Sequence, residues 1–317
     1  MRLSAIDCIG RGVSNLRANW ELVLLQFLQG VVLTLLSVIA LVGTVALLGA
    51  TFLFEMSHFD DWTEVLERLE GLSFNWGLLA ISLALLLILA TVLSLVYSWF
   101  QAGIFATLER GERQAPPAAG VDSQLFRTFR GRDFMGWGSL WVWRYFWFFG
   151  GVGLVFTILL SVVIGIAALL AVALRDVGGF GAVMFGCAAA VPLVALMVAF
   201  NLWVVLGMAL LPREEYGVWR ASRRALTILR QRLGGVLLIG LIFIIASLGL
   251  ALVFMLLTQG MATALQGRGV ASFGVQALLA LAQWLLSSML AVSFYSSIVA
   301  LARAQIDMPL RGSTTGV

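Results

Sequence analysis

Few residues in this chain could do metal or acid–base chemistry. His58 is the only histidine among 317 residues, and it stands in "SHFDD" beside Asp60 and Asp61. A structural zinc takes about four donors at recognisable spacings, and three bunched donors match no such pattern. A single histidine also excludes histidine-pair catalysis and multi-histidine metal centres within the chain. Cys8 and Cys187 are too few for a disulfide framework. One falls in an amphipathic stretch and the other in an apolar run, so both read as small hydrophobes. No Walker loop, GxSxG elbow or GxGxxG phosphate cradle occurs. The expectation is therefore a chain that is not an enzyme and carries no cofactor.

The chemistry that remains belongs to the guanidinium group. All 20 basic residues are arginine, and "PREEYGVWRASRRALTILRQRLGG", residues 212–235, gathers six of them between two apolar runs. Arginine recognises phosphate and carboxylate through a planar fork of N–H donors. At about 100° per residue, Trp219, Ser222, Ala225, Leu226, Leu229 and Leu233 share one face. Arg220, Arg223, Arg224, Thr227, Arg230 and Gln231 share the other. A tryptophan-led helix with an arginine face, running straight into an apolar segment, is built to lie in a membrane interface. Nucleic acid is not expected, because no exposed aromatics alternate with the arginines to stack on bases. The bland alternative is that these arginines only fix topology and bind nothing specific.

The N-terminal stretch repeats the device at an offset of 213 residues. Ile6, Ile9, Val13, Leu16 and Trp20 correspond to Trp219, Ser222, Leu226, Leu229 and Leu233, and Arg11 and Arg17 correspond to Arg224 and Arg230. A weaker copy in "VDSQLFRTFRGRDF" sets Val121, Leu125 and Phe129 against Gln124, Arg127 and Arg130. Three repeats follow, 1–113, 114–212 and 213–317, each an amphipathic helix ahead of a transmembrane hairpin.

The elements that carry these segments are long and apolar. The chain is 61% hydrophobic and 11% charged, with a mean hydropathy of +1.02, where soluble domains are about a quarter charged. Runs long enough to cross a bilayer occupy 22–54, 76–108, 140–174, 181–211, 233–258 and 270–301. The fold class read from them is all-α, a polytopic bundle of six transmembrane helices. The longest would reach about 45–50 Å against a hydrocarbon core of about 30 Å, so tilt or projection past the headgroups is expected. The first run is too long for a signal-peptide core and reads as a retained span.

Seventeen of the twenty arginines fall on one side of this layout. Only Arg68, Arg175 and Arg268 fall on the other, where "EMSHFDDWTEVLERLE" holds six acids. By the positive-inside rule both termini are cytoplasmic, in a bacterial inner membrane. Phe59, Trp62, Leu66, Leu69 and Leu72 predict a short helix on the outer surface. The aromatic cluster "GWGSLWVWRYFWFFGG" at 136–151 marks the interface, with Arg144 snorkelling against an aromatic face.

Every acid is assigned to a loop or an interfacial segment, leaving span centres without charge, which argues against proton-coupled carriers. The neutral polar groups at depth read first as glue between helices. Gln29, Gln101, Asn201 and Gln283 among them are candidates to line a cavity. Ser161 with Gly165, and Gly186 with Ala190, have the small-xxx-small spacing of close helix packing.

The run "LGMALLPREEYGVWRASRRALTILRQRLGGVLLIGLIFII", with "AIDCIGRGVSNLRANWELVLLQFL", resembles the YciC-like six-span families of bacterial membrane proteins. These are similar to the membrane domain attached to some glycerophosphodiester phosphodiesterases. The resemblance implies fold and location but no catalysis, which in such enzymes belongs to a soluble domain. The function expected is that of a non-enzymatic scaffold, accessory subunit or lipid-organising factor. Its basic helices would engage anionic lipid at the cytoplasmic face, or a protein partner, through Arg11, Arg17, Arg127, Arg130, Arg220, Arg223, Arg224 and Arg230. The alternative is a transporter or channel for an apolar or amphipathic solute.

Overall fold

The computed structural model describes residues 3–56, 76–116, 118, 120–173, 179–213, 216–265 and 269–306, with backbone alone at 45–56, 76, 78, 79, 82, 167–173, 179–193 and 270. All regular structure among these residues is helical. In chain order the helices are α1 (Ala5–Ala18), α2 (Glu21–Met56), α3 (Trp76–Gln114), α4 (Gly131–Ala173), α5 (Gly179–Leu210), α6 (Val218–Gln231), α7 (Leu233–Ala264) and α8 (Gly269–Ile306). One 3-10 turn, Ser123–Phe126, precedes α4.

Five of these helices contain stretches long and apolar enough to cross a membrane: Glu21–Thr44, Leu83–Gln114, Gly131–Ile166, Leu233–Ala264 and Ala271–Gln305. On α5 the described side chains give a shorter apolar stretch, Val194–Leu210. Leu154, Ile158, Leu241, Ile245, Leu252 and Leu256 are exposed along α4 and α7. Water would not tolerate so much continuous apolar surface, and hydrocarbon does. The chain is an all-helical protein of the multi-pass membrane class.

Helix bounds agree with the apolar runs within about six residues, except that α4 begins at Gly131, nine residues before the expected Leu140. The aromatic cluster therefore sits inside a helix. His58, Asp60, Asp61 and the expected outer helix lie outside the described residues.

The chain divides into two units, Met1–Phe27 with Ser98–Val317, and Leu28–Tyr97. In the smaller, the distal halves of α2 and α3 expose Leu35, Val38, Ile39, Leu83, Leu87 and Ile88, while Thr91 bonds back to the Leu87 carbonyl within its own helix. In the larger, α1 packs on α8 and α6 packs on α5. Close approach is possible where glycine meets a bulky neighbour. A Cβ on Gly12 would lie 2.7 Å from the backbone nitrogen of Ser297, and one on Gly207 would lie 2.5 Å from the Phe148 ring. Among the described residues a Cβ on Gly165 would meet nothing within 4 Å.

Local sequence sets the short helices. Ser4 caps α1 by accepting from the Asp7 amide at 3.1 Å, and the Asp7 carboxylate accepts from the Ser4 amide at 2.9 Å, a reciprocal capping box. The Ser4 hydroxyl, which donates to the carboxylate at 2.7 Å, and the Ser4 amide both favour the ionised acid and hold Asp7 below the usual carboxylate range. α1 ends at Asn19 with φ −121° and ψ 47°, and α6 ends at Arg232 with φ −129° and ψ 31°. The same bend thus stands 213 residues apart, at the junction of a short helix with a long one. The third expected amphipathic helix does not form. Residues 121–130 are irregular on either side of the 3-10 turn, and Phe126 is the buried side chain while Leu125 is exposed.

Candidate functional site: a basic helix face and a buried charge network

α6 has three faces where the sequence suggested two. Ala221, Ala225, Ile228 and Leu229 are buried against protein, and the Trp203 indole of α5 donates to the Ser222 carbonyl at 3.0 Å. Trp219 and Leu226, with Leu233 at the start of α7, are exposed, Trp219 at 68%. Arg220, Arg223 and Arg230 are exposed on the third face, with Arg224 half-buried. The expected apolar face is therefore split between neighbouring helices and the surroundings. The Arg223 guanidinium lies 4.8 Å from the Trp219 ring centroid, on the border between the apolar and cationic faces.

α1 repeats the division. Cys8, Gly12, Asn15 and Leu16 are buried, Ile6 and Trp20 are exposed, and Arg17 is exposed at the position corresponding to Arg230. Arg11 departs from the expected surface role. Its Nη2 lies 2.8 Å from Glu112 Oε2, its Nη1 donates to the Pro116 and Ala118 carbonyls at 2.8 and 2.6 Å, and it is 3% exposed. The guanidinium cannot also face lipid. Arg127 is likewise engaged. Its Nη1 and Nη2 reach the Glu21 carboxylate at 2.7 and 2.5 Å, and Nη1 also donates to the Ala18 carbonyl. Arg130 remains exposed.

Glu112 corrects a second expectation, since it and Glu109 belong to α3 and are buried. Buried carboxylates persist when arginines neutralise them. Glu109 pairs with Arg113 at 2.6 Å and Arg213 at 3.1 Å, and Arg303 of α8 is a further charge acting on Glu112. Amides brace the same region. Asn15 donates to the Leu108 carbonyl at 3.0 Å. Asn19 donates to the Phe126 carbonyl at 2.8 Å and accepts from the Thr128 and Phe129 amides at 2.9 and 2.8 Å. Arg144 stacks over Trp141 at 4.3 Å and donates to the Arg213 and Tyr216 carbonyls. The Cys8 thiol is pushed up to about 12, chiefly by burial and then by the charge of Glu112.

Sequence reasoning missed Glu109, Glu112, Asn15 and Asn19. The available signal was acids three apart within "LERGERQ" at a span end, and asparagines four apart on α1. The four cavity candidates do not share one environment. Gln29 and Gln101 are buried, and Gln101 donates to Gln26 at 3.3 Å; Gln283 is half-buried; Asn201 is exposed. The side chain of Cys187 is outside the description.

No family model, curated protein or solved structure matches this chain.

Proposed function

We propose that this is a six-span inner-membrane protein, with both termini cytoplasmic, that organises or anchors anionic lipid without catalysing a reaction. α1 and α6 lie along the inner leaflet, with Arg17, Arg220, Arg223 and Arg230 against headgroups. The observation that carries this reading is the three-way division of α6. A helix already seated on protein exposes an apolar stripe led by Trp219 and, beside it, arginines with no acid opposite them among the described residues. Apolar contact draws that stripe into the acyl boundary, and each basic residue near anionic lipid adds about 1 kcal/mol.

Three repeats, 1–113, 114–212 and 213–317, underlie the architecture. Support comes from the paired bends at Asn19 and Arg232, and from each leading segment resting on the last helix of a hairpin: α1 on α8, α6 on α5, and Thr128 on the Thr107 carbonyl of α3 at 3.1 Å. The order of α6 and α7 also favours a place among YciC-like proteins.

The test is lipid retention by purified protein. Replacing Arg17, Arg220, Arg223 and Arg230 with glutamine lowers phosphatidylglycerol carried through purification, with phosphatidylcholine unchanged. Equal retention of both lipids would refute the reading.

A further inference from the structure

Among the described residues, three guanidinium groups lie over indole rings: Arg144 on Trp141, Arg223 on Trp219, and Arg110 on Trp137 at 5.1 Å from the ring centroid. Stacking occupies the face of the guanidinium and leaves its N–H edge for hydrogen bonds. For Arg144 the chain supplies the acceptors, the carbonyls of Arg213 at 3.2 Å and Tyr216 at 3.0 Å. For Arg110 the described residues supply none. The residue is exposed, and no carboxylate or carbonyl among the described residues accepts from it. Neighbouring Glu109 is already engaged by Arg113 and Arg213, and Asp133, one turn before Trp137, makes no ion pair with Arg110.

α3 and α4 pack closely at the residues flanking Trp137 in sequence. Phe134 sits where a Cβ on Gly103 would come within 2.5 Å of it, and the Trp99 indole lies 2.9 Å from where a Cβ on Gly138 would be. Trp137 falls between Phe134 and Gly138 in α4 and is half-buried. The stack therefore rests on a rigid seam, which reduces the side-chain entropy lost on binding. Further along α4, Leu140, Trp143 and Trp147 are exposed, giving acyl chains an apolar wall adjoining the charged edge.

We propose that Arg110 and Trp137 form a binding site for the phosphodiester of an anionic phospholipid headgroup. The proposal rests on the membrane-surface reading above, but it uses other helices and none of Arg17, Arg220, Arg223 or Arg230. Lipid is favoured over free phosphate because the charged edge and the apolar wall adjoin.

Native mass spectrometry of the full-length protein with added phosphatidylglycerol tests it, with inorganic phosphate as competitor. Arg110→Gln and Trp137→Leu each weaken phosphatidylglycerol binding roughly three- to tenfold. The double variant loses no more than the weaker single, and Trp137→Phe, which keeps a ring, retains binding and controls for folding. Wild-type binding by Arg110→Gln would overturn the site, as would loss in the double variant equal to two independent losses. Displacement of the lipid by phosphate at comparable concentration would overturn the assignment to lipid. Loss in Arg110→Gln with wild-type retention in the Arg17, Arg220, Arg223 and Arg230 variant would refute the α6 reading and keep this site. The reverse pattern would refute this site alone.

Discussion

Arg11 and Glu112, 101 residues apart in sequence, form an ion pair of 2.8 Å in which both side chains are buried, at 3% and 1% exposure. The pair fastens α1 to the end of α3, and the Arg11 guanidinium also lies 5.2 Å from the Phe126 ring centroid. Removing one partner leaves the other charged and out of water, which costs about 3–5 kcal/mol, whereas replacing both by apolar groups of similar volume costs much less. Arg11→Met and Glu112→Leu should each lower the thermal midpoint in detergent sharply, and the double variant should recover most of the loss. A double-variant loss equal to the two singles added together would show that the ion pair is not the unit that matters.

Two glycines on α1 predict opposite outcomes from one substitution. A Cβ on Gly12 would stand 2.7 Å from the Ser297 backbone nitrogen and 2.9 Å from its Cα, and backbone in a packed helix cannot step aside cheaply. Gly10 has nothing within 4 Å. Gly12→Ala should destabilise by about 1–3 kcal/mol, while Gly10→Ala should stabilise by about 0.4–1 kcal/mol through helix propensity and a less free unfolded chain. Unfolding curves of the two variants check this, and equal midpoints would contradict the α1–α8 contact.

The sequence made the long helices plain because hydrocarbon demands unbroken apolar length, and that demand is local. It could not show which apolar residues of a short helix are buried against protein and which are left exposed, since both kinds are apolar. Ile6 and Trp20 turn outward while Cys8, Gly12 and Asn15 turn inward, so size and amide chemistry mark the packed side better than hydropathy does. Arg11 and Arg17 read alike in the sequence. What separates them is Glu112, supplied from another helix, and no pattern within α1 contains that information.

Cys8 offers a chemical measure of how tightly α1 is held. With its thiol pushed up to about 12 from an ordinary value of 9.0, roughly one molecule in ten thousand carries the thiolate at pH 8, and the thiolate is the reactive form. In a Cys187→Ser background, maleimide should label the folded protein far more slowly than the unfolded one. The folded state holds the proton more tightly, so this contribution to stability is intact below pH 9 and is lost as pH rises through about 9 to 12. Cys8→Ala should therefore move alkaline unfolding to higher pH. Rapid labelling of folded protein at pH 8 would mean that α1 detaches readily.

Topology gives the last prediction. Arg17, Arg113, Arg130, Arg220 and Arg230 are exposed at the arginine-rich helix ends, and positive charge near a span end is retained on the cytoplasmic side. A reporter fused after Ile306 should be active only in its cytoplasmic form, and an impermeant thiol reagent added outside intact cells should not reach a cysteine introduced at Arg220 or Arg17. Both engineered thiols should respond alike, because α1 and α6 stand at corresponding points before α2 and α7. A response at one and silence at the other would place them on opposite sides. That result would break the 213-residue correspondence along with the inner-leaflet reading of both helices.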